Sequence, residues 1–272
     1  MELLSLKEMQ NVNLEMLHEF DEICKRNNLS YTLGGGTQLG AVRHHGFIPW
    51  DDDIDINMTR PEYEKLIKLY QENELELPKN RELISNRNNT LARHYARYIR
   101  KDIKRVTTYA EEDDCPYIGI EIFVEDGVYS NKFLFALQTL RIKIVRKLLL
   151  ISLSKPNISQ KGKVVAFIKN CIRPILKKIG SMNIAKHLEN ICKEVKFEKA
   201  KYVAGLNGMY GKKEIWLKDE MIPIIYLDFE DGKFPCYKNY DKYLSNLYGN
   251  YMELPPENKR QPHNDKGYRI EI

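Results

Sequence analysis

A chain of 272 residues with 43% apolar side chains can bury a substantial core, which excludes a disordered polymer. Its five cysteines, Cys24, Cys115, Cys171, Cys192 and Cys236, show no C-x-x-C spacing. Neither a zinc ribbon nor a disulfide framework is indicated, and the expectation is reduced thiols in a cytoplasmic protein. The net charge of +5 conceals a division: residues 131–201 hold 17 Lys and Arg against 3 Asp and Glu, and the remainder holds 26 against 35.

The opening MELLSLKEMQ lacks a basic segment followed by an apolar one, so no signal peptide is expected. No run of about 18 apolar residues suggests a spanning helix. Ser5 and Glu8 fit a capping box, and Leu6, Met9, Val12, Met16, Phe20 and Ile23 recur at helical spacing, predicting a helix to about Arg26. Ser30 to Gly34 reads as a short strand, and Gly34-Gly35-Gly36 as a tight turn into a helix beginning near Thr37. That order places Thr37 and the adjacent amides where they can meet an anion.

After Ile48-Pro49-Trp50 come Asp51, Asp52, Asp53 and Asp55, the last two alternating with Ile54 and Ile56. In a strand the isoleucines face the core and both carboxylates share the other face. Thr59 and Glu62 predict a second capping box, with Pro61 in the first turn of a helix to about Glu74. Residues 94–100 are compatible with a strand carrying Arg97 and Arg100, and YIGIEIFV from Tyr117 to Val124 is a stronger one. Glu121 there repeats the isoleucine-flanked pattern of Asp55. The basic middle reads as about three helical segments broken near Pro156 and Gly180. Asp231-Gly232 predicts a hairpin, residues 240–251 a short helix, and a polar tail follows with Arg260 and His263.

Paired strand carboxylates with a third acid on a neighbouring strand suit Mg²⁺ or Mn²⁺ and phosphoryl transfer, because the cation neutralises phosphate oxygens. GGGTQLGAVRHHGFIPWDDDIDI resembles the signature of the LicD family of phosphotransferases, related to fukutin and fukutin-related protein and belonging to the nucleotidyltransferase superfamily. The resemblance continues in YIGIEIFVEDG, in FEDGKFPCYKNYDKYLSNLYGNYMELPP and in the tail from Arg260 to His263. It implies an α/β (α+β) fold: a nucleotidyltransferase-like mixed sheet with flanking helices over 1–130, a basic helical subdomain over 131–200, and a hairpin, helix and tail over 201–272 completing the core.

The resemblance further implies transfer of a phospho-alcohol, commonly phosphocholine, from a CDP-activated donor such as CDP-choline to a cell-surface glycan. Asp53 and Asp55 would be the metal pair and Glu121 the third acid, where members often have aspartate. Gly35, Gly36 and Thr37 would lie at the donor's phosphates. An acceptor hydroxyl needs a proton acceptor or a metal; Glu121 is the first candidate base and Asp51 the second. Arg43, Arg97 and Arg100 are candidates to hold the charge of departing CMP, set against an ordinary surface or acid-pairing role. His44 and His45 either meet phosphate, shuttle protons or shape a turn, and Arg260 and His263 either reach the site or cap the core. Trp50, Tyr237, Tyr240 and Trp216 are candidates for an aromatic cage around a quaternary ammonium, set against the favoured reading of each as an ordinary core or surface aromatic.

The basic helices suit either a solvated face or peripheral contact with the inner face of a membrane, where a lipid-linked glycan would serve as acceptor. Two other readings compete. One is a nucleotidyltransferase acting on a sugar, an antibiotic or RNA. The other is a non-enzymatic basic nucleic-acid-binding protein, disfavoured because the acid cluster would repel phosphate, so no nucleic-acid partner is expected.

Overall fold

A computed structural model describes residues 1–106, 115–155, 163–206, 211–261 and 266–271. The first half runs β1 (Glu2–Leu3), α1 (Leu6–Arg26), β2 (Thr32–Leu33), α2 (Gly35–His44), β3 (Asp55–Thr59), α3 (Arg60–Gln71), β4 (Arg81–Ile84), β5 (Ala96–Val106) and β6 (Tyr117–Val128). Three helices follow: α4 (Lys132–Leu153), α5 (Lys163–Ile179) and α6 (Ser181–Cys192). The chain closes with β7 (Tyr202–Ala204), β8 (Trp216–Leu217), α7 (Lys218–Met221), β9 (Ile224–Phe229), β10 (Gly232–Tyr237), α8 (Tyr240–Tyr248) and β11 (Lys266–Arg269). This is an α/β fold.

The main sheet is mixed, in the order β1-β11-β5-β6-β3-β2, with β4 on β5 and the β7–β8 pair on the far end of β6. β3 and β6 are parallel, whereas β5 and β2 run antiparallel to their neighbours. One face of this sheet packs on α1. Its apolar stripe, Met9, Val12, Met16, Phe20 and Ile23, meets Ile54, Ile56, Ile120 and Ile122 in one core cluster. Burying each such side chain contributes roughly 1.5–3 kcal/mol. The α1 capping box forms as expected: Glu8 N donates to Ser5 Oγ at 3.3 Å and Ser5 N to Glu8 Oε2 at 2.7 Å. The Asp231-Gly232 hairpin is also present as β9 and β10, in register from Gly232↔Phe229 to Tyr237↔Ile224.

Three local expectations change. Helix α2 starts at Gly35 with Gly34 as the N-cap, and Gly35 itself takes the left-handed φ of +42° that glycine tolerates; the glycines are thus the helix's beginning rather than a turn before Thr37. No capping box forms at α3, since Thr59 makes no side-chain cap and the Glu62 carboxylate instead accepts from Ser30 N at 2.9 Å. The last helix ends at Tyr248, stopped by Gly249 at φ 72°.

Helices α4 to α6 form their own apolar cluster around Ile142, Leu149, Leu188 and Ile191, joined to the sheet through Val128 and Ala204. A buried ionic group fastens the two. Arg60 on α3 forks onto Asp126 of β6 at 2.7 and 2.8 Å and reaches Glu189 of α6 at 3.0 Å. Arg87 adds contacts to Glu189 at 3.1 Å and Glu64 at 2.8 Å.

Candidate functional site

Sheet register builds the centre of the site. Asp55 on β3 stands opposite Glu121 on β6, and Glu121 stands opposite Arg97 on β5. Paired residues on adjacent strands project to the same face, so an aspartate, a glutamate and an arginine form a row across three strands. Arg97 and Glu121 are joined as an ion pair, and Arg97 also donates to Cys115 Sγ at 2.9 Å. The flanking isoleucines Ile54, Ile56, Ile120 and Ile122 are fully buried on the opposite face. Alternation therefore separates core from chemistry, as the isoleucine-flanked acids predict.

Asp53 lies just ahead of the strand rather than within it, because β3 begins at Asp55. It joins Asp51 and Asp52 in a loop whose three carboxylates offer oxygens within 4.8 Å of one another. Two amide side chains of α1 hold that loop: Gln10 donates to Asp51 O at 2.8 Å, and Asn13 to Asp52 O at 2.6 Å. Sequence reasoning missed both. Their signal is a pair of polar residues three apart on the flank of the apolar stripe, where burial requires a partner.

Row and loop open into a cavity of ≈ 500 Å³, lined among others by Gly35, Gly36, Trp50, Asp51, Asp52, Asp53, Asp55, Arg97 and Glu121. That is within the range of roughly 300–1,000 Å³ common for small-ligand sites. A side chain at Gly36 would place its Cβ 2.9 Å from Asp51 Oδ2, so the glycine keeps the helix start close to the acid loop. Thr37 is buried below the cavity, and its Oγ1 accepts from Asp55 N at 2.9 Å. Its observed task is to hold the Asp55 backbone.

The other wall comes from residues that sequence reasoning passed over. Asn57 continues the period of Asp53 and Asp55, and its Nδ2 donates to Tyr243 Oη at 3.3 Å. Tyr243 also accepts from Gly35 N at 3.0 Å, tying α8 to the start of α2. Glu214, Tyr248, Lys259 and Gln261 also line the cavity, as does Arg105 of β5, which stands 3.9 Å from Glu121.

Other candidates sit elsewhere. Arg100 is engaged by Asp102 at 2.9 Å and Glu15 at 2.5 Å, away from the cavity lining. Arg43 likewise lies off that lining, donating to Tyr251 O at 2.6 Å and to His44 Nε2 at 3.0 Å. Acid pairing and backbone capping thus account for both. His45 ends α2 at φ 56°, and its carbonyl accepts from Glu230 N at 2.9 Å, so it shapes the turn. Of the aromatic-cage candidates, Trp50 lines the cavity and stands beneath the Arg260 guanidinium at 5.8 Å. Trp216 and Tyr237 pack instead with Tyr243 in a second core cluster, which Tyr240 flanks. His263 lies outside the described residues.

Electrostatics distinguish the two central acids. Burial, then Asp53, Glu121 and Asp51, push Asp55 well above the usual carboxylate range despite Arg97. Burial acts in the same direction on Glu121, but Arg97 and Arg105 prevail and hold it below that range. Six acidic and three cationic residues line the cavity among the described residues, leaving an excess of negative charge. An all-oxygen carboxylate set is the donor chemistry of a hard divalent cation, and the Asp51–Asp52–Asp53 cluster fits one.

Comparison with known proteins gives the class first: residues 28–143 match the family described as LicD/FKTN/FKRP, nucleotidyltransferase domain. The chain is also 31% identical, over 97% of its length and 97% of the relative's, to the lipopolysaccharide cholinephosphotransferase LicD of Haemophilus influenzae. Uncharacterized proteins of Rickettsia prowazekii and Rickettsia typhi are each 46% identical over 44 residues, 16% of this chain and 16% and 14% of theirs. The chain belongs to the LicD family and is a phosphotransferase of that type.

Proposed function

We propose that this protein transfers phosphocholine from CDP-choline to a hydroxyl of a cell-surface glycan of the lipopolysaccharide, teichoic acid or capsule type, releasing CMP. The observation that carries the reading is the acidic row and loop facing a glycine-opened helix across one cavity. The full-length similarity to a cholinephosphotransferase supports the choice of alcohol.

Asp53, which belongs both to the Asp51–Asp52–Asp53 cluster and to the expected pair with Asp55, would hold Mg²⁺ or Mn²⁺, with Asp55 and Glu121 lining the same cavity. When bound, such a cation neutralises phosphate oxygens and stabilises the departing CMP. Arg97 keeps Glu121 ionised, which makes Glu121 a weak proton acceptor and favours charge placement as its role. Asp51, on the loop facing Gly36, then takes the acceptor hydroxyl's proton. The hydroxyl oxygen forms a bond to the β-phosphorus as the bond to the CMP oxygen breaks. At the α2 start Gly34 offers no capping side chain and Gly35 N donates to Tyr243 Oη, so the remaining first-turn amides would meet the donor's phosphates.

The test is CMP release from CDP-choline, CDP-ethanolamine, CDP-glycerol and CDP-ribitol with a glycan acceptor, in Mg²⁺, Mn²⁺ or EDTA. The expected result is CMP only with the metal, fastest from CDP-choline. Preference for another CDP-alcohol would overturn the choice of choline, and turnover of nucleoside triphosphates in place of CDP-alcohols would overturn the transfer reaction itself.

A further inference from the structure

The geometry points to a second working surface: we infer that the outer sides of α4 and α5 dock on a bilayer carrying anionic headgroups. On α4, Phe133, Leu137, Leu140 and Ile144 recur at intervals of four, three and four, so they share one side. They are 74%, 45%, 54% and 52% exposed. The inward side of the same helix is occupied, since Ile142 and Leu149 are in the helical core cluster and Gln138 Nε2 donates to Ile191 O at 3.1 Å. On α5, Phe167 and Ile175 lie within about 80° of each other around the helix and are 69% and 63% exposed, Ile179 at the helix end is 51% exposed, and Leu176 turns inward. The two helices pack against each other, so these exposed side chains belong to neighbouring elements.

Soluble proteins rarely leave several large apolar side chains in water along one element unless something covers them. Charge identifies what does. Lys143 and Lys147 of α4 and Lys178 of α5 are exposed on the same helices, and the surrounding segment carries 17 basic against 3 acidic residues. Apposing this face with the same face of a second copy would bring two strongly basic surfaces together. A bilayer with acidic headgroups matches both properties, taking apolar side chains at the acyl boundary and lysines at the phosphates. No helix among the described residues is long and apolar enough to cross a membrane, so the contact is one of lying on the surface. This inference stands apart from the identity of the transferred alcohol.

The test is co-sedimentation of the full chain with phosphatidylcholine vesicles, with and without phosphatidylglycerol. Binding to the phosphatidylglycerol vesicles is expected to be at least about tenfold stronger and to weaken as salt shortens the screening length. Combined Phe133→Ser, Leu140→Ser and Phe167→Ser substitutions should each time reduce binding at both salt levels. Lys143→Glu with Lys147→Glu should remove mainly the salt-sensitive part, about tenfold or more. Both variants should retain the wild-type Tm and CMP release. Absence of vesicle binding, equal binding to both vesicle types, or light scattering that shows a dimer dissolved by the serine substitutions would overturn the inference.

Discussion

Two buried ionic groups in this molecule differ in how their charges balance. Around Arg60, carboxylates and guanidinium groups meet in close, forked pairs: Arg60 is held strongly protonated by Asp126 and Glu189 despite burial, and although burial still lifts the Asp126 carboxyl, Arg60 opposes that rise at 2.7 Å. Around Asp55, acids outnumber bases, and burial together with Asp53, Glu121 and Asp51 drives its carboxyl up. The first group is complete and fastens the helical middle to the sheet. The second carries an excess of negative charge that its own residues do not balance, the property on which the proposed use of a cation and an anionic donor rests.

The largest effect that would break this contrast is on activity. Asp55→Asn should lower CMP release by about a thousandfold, as expected when a group needed for metal binding is lost, while Tm without metal stays level or rises because repulsion is relieved. Full activity in Asp55→Asn would remove Asp55 from the mechanism. Arg60→Ala should behave in the reverse sense, costing about 3–5 kcal/mol in urea unfolding because Asp126 is left buried and unpaired. A loss below about 1 kcal/mol would mean that the group is not a fastener.

A finer comparison concerns support rather than charge. Thr37→Val keeps shape but leaves Asp55 N without its acceptor, which should cost about 1–3 kcal/mol and lower kcat/KM beyond what unfolding explains. Wild-type kcat/KM would show that Asp55 does not depend on this hydrogen bond. The smallest effect is at Glu125, whose carboxyl is pushed well above its ordinary value by burial and then by Glu214. The unfolded chain ionises this group near pH 4.5 and the folded chain resists, so stability falls as pH rises between the two values. Glu125→Gln should therefore raise Tm more at pH 8 than at pH 5. Equal shifts at both pH values would contradict the assignment.

Period and spacing made much of this legible. The isoleucine-flanked acids revealed which face of β3 and β6 is open, and Ser5 with Glu8 marked the start of α1, because both are local rules of strand and helix geometry. What stayed hidden was long-range. Nothing within YIGIEIFV states that Glu121 pairs with Asp55 on one side and Arg97 on the other; only strand register does. Arg100, three residues beyond Arg97, looked equivalent in sequence yet is taken up by Glu15 and Asp102. Gln10 and Asn13 hold the acid loop from about 40 residues away in sequence, a contact that the helical period of α1 does not encode. Thr37 kept its place beside the site but acts on a backbone amide of Asp55.

Register also couples correctness of folding to competence. Strand side chains alternate with period two, so a one-residue slip of β6 against β3 would carry Glu121 into the apolar layer and turn Ile120 or Ile122 toward the cavity. The same error would thus cost core burial and dismantle the charged row at once. A mispaired sheet has no route to a partly working site, and measured transfer activity reports on the fraction of chains whose strands have found their proper partners.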